Sequence, residues 1–330
     1  MGKIKMWLLL FVLSIVLAAC SSDAGDANNE TESGKIVQTI LVFGRGEDST
    51  SLDPASATDD ETFKVTKNLY ETLLKSDEQD AMIVEGLAKE WKTSDDGLTY
   101  TFTLREGVKF HDGTDFNAEA VVKNFERWAK GSAEKFPNYH AVFGGFKGEE
   151  GHVIESVTAD GDDTVIIKLT RPQASFLEDI TMDSFAIASP TAFEEGDDEF
   201  EENPVGTGPF KFVGWEPEGT ITIDKFDEYW QEGLPKLKKV IFRSIPNDTA
   251  RLNALLAGDI DLADGINPAD GAVIEGYEDL QLFEQPSVNS AVKPLLAGDK
   301  LIIGYLPYAT GPDMLSNLEF TEDEDAESAK

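Results

Sequence analysis

Asp95-Asp96-Gly97-Leu98-Thr99-Tyr100-Thr101-Phe102-Thr103-Leu104-Arg105-Glu106-Gly107-Val108-Lys109-Phe110-His111-Asp112-Gly113 is the stretch that decides the fold. Leu98, Tyr100, Phe102 and Leu104 alternate strictly with Thr99, Thr101 and Thr103. Successive side chains of a strand point to opposite faces, so this run has one apolar face and one face of hydroxyls. It reads as a half-buried strand. Asp96-Gly97 is a turn signal ahead of it, because glycine supplies the backbone angles of a tight turn. Arg105-Glu106-Gly107 reads as the next turn, Val108-Lys109-Phe110 as a short strand pairing back, and His111-Asp112-Gly113 as another turn.

Outward from this hairpin, strand and helix signals alternate. Residues 36–43 are a β-branched run ending at Gly44. Residues 62–74 place Phe63, Val65, Leu69 and Leu73 at near-helical spacing. Asn117 caps a predicted helix over 118–130, closed by Gly131, with Val121, Val122, Phe125, Trp128 and Ala129 on one face. Residues 165–169, 220–224 and 240–245 read as strands. Asp248 is placed to cap a helix carrying Leu252, Leu255 and Leu256 and ending at Gly258, after which Ile260-Asp261-Leu262 returns as a strand. The sum is an α/β mixture without an internal repeat.

Composition narrows the partners. The chain has 63 acidic against 28 basic residues, a formal charge of -35, which argues against nucleic acid or anionic lipid because both need a positive surface. At the N-terminus Lys3 and Lys5 precede an apolar run over 6–17, which is short for a membrane span and matches a signal-peptide core. It ends in Leu17-Ala18-Ala19-Cys20, which resembles the bacterial lipobox. Cys20 is the only cysteine, so no disulfide can form within the chain, and lipidation of Cys20 is the expectation. With two or three acyl chains it would anchor the protein at the outer face of the cell membrane. Residues 21–35 have almost no large apolar side chain and read as a flexible tether, with ordered structure from about Ile36.

Longer motifs carry a resemblance. Leu87-Ala88-Lys89-Glu90-Trp91, the stretch from Asp95 to Gly113, Leu169-Thr170-Arg171-Pro172, Asn203-Pro204-Val205-Gly206-Thr207-Gly208-Pro209-Phe210, Tyr229-Trp230 and Gly258-Asp259-Ile260-Asp261 follow one another in order. Together they resemble the signature of family 5 extracellular solute-binding proteins, over about residues 38 to 285. The resemblance implies a periplasmic-binding-protein-like type II α/β fold and a role as the substrate-binding component of an ABC importer. Its partners would be the permease subunits, a lipid-anchored membrane surface and a peptide-like small ligand, bound by a monomer. Leu169-Thr170-Arg171-Pro172 and Ala174-Ser175-Phe176-Leu177 look most like the peptide binders, which places dipeptides and oligopeptides ahead of nickel.

The same resemblance divides the chain. Residues 1–20 are the lipoprotein signal and 36–285 the first lobe, mostly complete, with an inserted subdomain at about 60–200. Residues 286–330 are a crossover and a remnant of a second lobe that is largely missing. Family members cross into that lobe after about Gln285-Pro286-Ser287, whereas here Val288-Asn289-Ser290-Ala291-Val292-Lys293-Pro294 follows. Residues 300–330 look like a piece from well inside it, so the chain reads as internally deleted and truncated, with a loosely packed tail. The aspartate that grips the peptide amino group in dipeptide binders would fall beyond the end.

The candidate ligand contacts lie in the loop after the first strand. Glu47, Asp48, Ser49 and Thr50 sit where α/β crevices open, and their hydroxyls and amides suit a peptide main chain; a polar surface loop is the bland alternative. Tyr139 and His140 are weaker candidates. Catalysis finds no support: His111, His140 and His152 show no metal spacing, and there is no G-x-S-x-G elbow. Carboxylate pairs such as Asp162-Asp163 and Asp197-Asp198 lie in polar stretches where pKa tuning is hard. Gly206-Thr207-Gly208-Pro209 lacks the lysine of a phosphate loop and reads as a rigid crossover. No cofactor or metal is expected. A non-binding remnant and a surface scaffold or adhesion lipoprotein stay open as alternatives.

Overall fold

A computed structural model of the chain describes residues 29–32, 35–77, 81–194, 196–277, 280 and 282. The signal segment, Cys20, the start of the tether and the tail over 286–330 lie outside the described residues. The end of the tether segment forms β1 (Asn29–Glu32), which pairs antiparallel with β2 (Lys35–Gln38), Glu32 opposite Lys35. β1 and Lys35 fall in the stretch expected to be a tether, whereas residues 36–38 belong to the predicted strand, and backbone pairing joins the two. It belongs to a separate unit from the body that begins at Thr39.

The body starts with β3 (Ile40–Arg45). The predicted strand over 36–43 therefore splits at Thr39 and runs on past Gly44. Gly44 is not a terminator. A Cβ there would meet Ile260 Cδ1 at 2.4 Å, so the glycine allows close packing inside the strand. Helix α1 (Asp60–Leu69) follows, capped by Asp59, whose carboxylate accepts from the Thr62 amide at 2.8 Å. It stops before Leu73 and Leu74, which are buried in the next segment.

The inserted strands are β4 (Leu74–Ser76), β5 (Ile83–Glu85), β6 (Ala88–Thr93), β7 (Thr99–Leu104), β8 (Ile154–Ala159) and β9 (Thr164–Leu169). Four of them make an antiparallel sheet in the order β6-β7-β9-β8. The alternation in β7 is realised: Tyr100, Phe102 and Leu104 are buried and the threonines are half-buried. Val108 to Phe110 does not pair back on β7, because β6 and β9 already occupy both its edges. It turns locally instead, with Lys109 bridged to Asp115 and the Phe110 amide donating to Thr114 O at 2.9 Å.

Helix α2 (Ala118–Ala129) lies on β8 and β9. Asn117 caps it as expected, accepting from the Ala120 amide at 2.9 Å. Val121, Phe125 and Trp128 point into the insertion's core, and each such burial contributes about 1.5–3 kcal/mol. Short helix α3 (Pro137–Phe143) closes that core with Tyr139 and Phe143.

The chain then returns as β10 (Phe210–Glu216), β11 (Thr220–Lys225), β12 (Lys239–Ser244), helix α4 (Asp248–Leu256) and β13 (Leu262–Ala263). These strands and β3 form a five-stranded sheet in the order β10-β11-β12-β3-β13, with β12, β3 and β13 mutually parallel. Phe43 and Phe242 meet at its centre, ring centroids 5.6 Å apart. Asn247, one residue before the expected Asp248, caps α4 by accepting from the Ala250 amide at 2.9 Å. Leu252 and Leu255 of α4 pack with Ile260 and Ala263.

Buried polar groups stitch the insertion to this sheet. Glu71 bridges Ile187 through its backbone and accepts from Thr207 Oγ1 and Tyr229 Oη, both at 3.0 Å, and from Trp230 Nε1. His111 donates from Nε2 to Gly208 O at 2.9 Å, and its Nδ1 accepts from the Gly206 amide at 3.3 Å. Gly206-Thr207-Gly208-Pro209 is thus a crossover. A Cβ on Gly206 would meet Leu69 O at 2.1 Å, closer than any real contact. Buried Asn124 completes the seam by exchanging hydrogen bonds with the Ala188 backbone at 2.8 and 3.0 Å.

Candidate functional site

Parallel strands β12, β3 and β13 end on the same side, and crevices in α/β proteins open at such carboxyl ends. Two buried arginines hold these ends. Arg45, the last residue of β3, is fully buried. It donates to Asp48 Oδ1 at 2.8 Å, Ser49 Oγ at 3.0 Å and Glu61 O at 2.8 Å. Burial pushes its guanidinium below the usual value, and Asp48, Glu61 and Asp264 pull it back up. Arg251 of α4 donates to Ile245 O at 2.5 Å, Asp264 O at 2.6 Å and Gly265 O at 2.7 Å. It thereby ties the ends of β12 and β13 together.

Between the arginines, Lys64 of α1 pairs with Glu61 at 2.8 Å and with Asp264. Burial alone would lower the lysine, but Asp264 and Glu61 outweigh it and its pKa is raised. Asp264 is raised as well, by burial that Lys64 only partly offsets. Glu61 Oε2 and Asp264 Oδ1 are buried with no hydrogen-bond partner among the described residues.

The loop over this floor holds four of the sequence candidates. Asp48 is used internally: besides Arg45, it accepts from Trp215 Nε1 at 2.9 Å and from the Glu218 amide at 2.7 Å. Ser49 is buried beneath it and takes Arg45. Thr50 is exposed but tethered, its amide donating to Thr62 Oγ1 at 3.0 Å and its hydroxyl to Asp59 at 2.7 Å. Glu47 is exposed at the loop's tip. The loop is therefore rigid underneath, with Glu47 and Thr50 facing solvent.

Tyr139 and His140 lie elsewhere, on α3. Tyr139 is buried in the insertion's core, its hydroxyl 3.0 Å from His152 Nε2, and burial raises its pKa. His140 is exposed, with its ring 5.3 Å from Phe146. One link joins α3 to the segment after the loop: Asn138 Nδ2 donates to Ala57 O at 3.0 Å. Sequence reasoning missed Arg45, Lys64 and Asp264. The available signals were an arginine directly after the Gly44 strand and the Glu61/Lys64 spacing of one helical turn. Among the described residues no cluster of His, Cys, Asp or Glu is arranged to hold a metal, and no helix is long and apolar enough to cross a membrane.

A five-stranded α/β sheet opening onto a polar loop, interrupted by an antiparallel insertion, has the architecture of one lobe of a periplasmic-binding-protein-like fold. The chain belongs to the bacterial extracellular solute-binding proteins, family 5, whose middle-region profile matches residues 82–295. It is 35% identical over 248 residues to the glutathione-binding protein GsiB of Escherichia coli O1:K1 / APEC, covering 75% of this chain and 46% of that relative. The GsiB of Pectobacterium atrosepticum is 33% identical over 287 residues, with coverage of 85% and 53%. Among solved structures, the Helicobacter pylori periplasmic binding protein DppA in complex with the peptide STSA superposes with a TM-score of 0.68 at 35% identity. That match covers 74% of this chain and 50% of that one. A Pseudoalteromonas dipeptide-binding protein in complex with Met-Leu gives a TM-score of 0.69 at 25% identity, covering 75% and 51%. The chain spans about half the length of the curated relatives it matches.

Proposed function

We propose that this chain is the extracytoplasmic substrate-binding component of an ABC importer, held to the membrane by a lipidated Cys20 and specific for small peptides. The observation that carries the reading is the likeness to a structure holding a bound peptide, at 35% identity over 74% of the chain. Glutathione, named for GsiB, and Met-Leu, held by the Pseudoalteromonas protein, are also short peptides. Glu47 and Thr50 form the contacts at the mouth of the crevice. The exposed Glu47 carboxylate suits a peptide cation, and Thr50 offers a hydroxyl to a main chain. Asp48 and Ser49 hold the loop in shape. The protein acts as a monomer and carries out no chemistry on its ligand.

The test is calorimetric titration of the full chain with glutathione, Met-Leu, a tetrapeptide and a nickel–histidine chelate. Saturable heat with one or more peptides, and an unaltered ligand afterwards, supports the reading. Heat with nickel alone overturns the ligand class, and silence with all of them favours a non-binding lipoprotein. The anchor has its own test. Cys20→Ser should move the protein from the membrane fraction to the medium, and equal solubility of both forms contradicts lipidation.

A further inference from the structure

A second concavity lies on the inserted body, away from the β3 loop. It is a groove of about 260 Å³ between α2 and β8. Phe125 and Ala129 line one side and Ile154 and Val157 the other, with the charged Glu126, Lys130 and Glu155 and the hydroxyls of Ser156 and Thr158 interleaved among them. At its floor the buried Tyr139 hydroxyl meets His152 Nε2 at 3.0 Å, and Lys147 stands at the rim.

The groove is a built feature. Lys147 and His152 come from the loop Gly144-Gly145-Phe146-Lys147-Gly148-Glu149-Glu150-Gly151-His152, which closes tightly on itself. A Cβ on Gly144 would meet Gly151 O at 2.6 Å, and Gly144 has φ +69°, so only glycine fits there. Glu149 Oε2 accepts from the Phe146 amide at 2.8 Å, and the Lys147 amide donates to Ala129 O at 3.1 Å, which docks the loop on α2. On the opposite wall β8 shifts register between Ile154 and Ser156, a bulge that re-aims the side chains facing the groove.

The polar groups leave specific capacity open. Burial pushes the His152 imidazole below its ordinary value, Glu149 opposing and Lys147 adding to the shift, which favours the neutral ring. In the tautomer where the Tyr139 hydroxyl donates to Nε2, the ring proton sits on Nδ1, which makes no hydrogen bond among the described residues. Lys130 is paired with Glu126 at 2.7 Å, whereas Lys147 forms no ion pair among the described residues. Glu126 is taken up by Lys130 and Glu155 is exposed, so the ammonium of Lys147 and the ring of His152, beside the apolar wall, are the groups that complement a carboxylate on a hydrophobic body.

We infer that the groove between α2 and β8 is a second ligand site, taking a small carboxylate with an apolar tail whose head meets Lys147 and His152. A free apolar amino acid and an amino-free acid share this chemistry, and the choice of probe separates them.

The experiment titrates the full chain calorimetrically with hydrocinnamate, L-phenylalanine and hydrocinnamyl alcohol. Saturation by at least one of the two carboxylates, with none by the alcohol, is expected. Tighter binding of L-phenylalanine identifies an amino acid site, and tighter binding of hydrocinnamate an amino-free one. Lys147→Met should weaken the carboxylate about fivefold, the weight of one exposed ion pair, without shifting the melting temperature. Ser156→Trp, which fills the groove, should abolish binding. Absence of saturation up to about 10 mM, the weak end of specific binding, overturns the proposal. So does equal binding of the alcohol, or unchanged affinity in either variant.

Discussion

Arg127 Nη2 donates to Asp53 Oδ2 across 2.6 Å, inside a cage formed by the rings of Phe136, Phe193 and Phe200. Both side chains are at least nine-tenths buried. The pair links α2 of the insertion to the segment that follows the candidate loop, so the stability of the lobe and the position of that loop are coupled. Breaking a buried pair leaves its partner charged and unpaired, at a cost of about 3–5 kcal/mol. Arg127→Ala should lose that much in urea unfolding. A loss below about 1 kcal/mol, the range of surface pairs, would show that the cage carries no weight.

The His111 seam predicts an acid response. Burial pushes His111 down to about 4 from an ordinary 6.5, against the opposing pull of the Gly208 carbonyl and Asp112. A depressed histidine favours the folded state while neutral. Its stabilisation is complete above pH 6.5 and is lost as pH falls from there toward 4. The full linkage is at most about 3 kcal/mol, less for a ring that is only partly shielded from water. His111→Gln should flatten the difference in urea midpoint between pH 7 and pH 4.5. An unchanged pH slope in the variant contradicts the assignment.

Crowding at the crossover predicts a steric effect. Gly206→Ala drives a methyl into Leu69 O and should cost roughly 1–3 kcal/mol or more. Gly107→Ala meets nothing within 4 Å and bears only the strain of φ +76°, about 1 kcal/mol. Chemical denaturation of the two variants should rank them in that order, and the reverse order would contradict the close approach.

Within the loop, neighbouring acids should behave differently. Asp48→Ala strips a buried arginine of its carboxylate and Trp215 of its acceptor, and should lower stability by about 3–5 kcal/mol. Glu47→Ala should leave the melting temperature in place and weaken peptide binding. A stability loss in Glu47→Ala equal to that in Asp48→Ala would remove the distinction between scaffold and contact.

How far the sequence reveals this arrangement depends on the kind of interaction. The β7 alternation and the Asn117 cap were legible because periodicity and capping act over a few residues. The family signature was legible because its motifs are long and ordered. Glu71 was not, because an acid after a helix looks solvated until Thr207, Tyr229 and Trp230, more than a hundred residues later, close around it. Tyr139 is a candidate because its stretch resembles the dipeptide binders, and nothing in that stretch reveals that its ring packs 5.0 Å from Phe143 in the insertion's core. The Asp48 and Glu47 roles were likewise inseparable in sequence, since only the distant Trp215 and Glu218 distinguish them.

The most direct test of the account is amide chemical-shift mapping of the isotopically labelled full chain during titration with Met-Leu or glutathione. The account predicts saturable shifts concentrated on Gly46 to Ser51 and on the ends of β12 and β13, with the four-stranded sheet of the insertion unmoved. Shifts absent from that loop, or confined to the groove between α2 and β8, would contradict a peptide site at the strand ends.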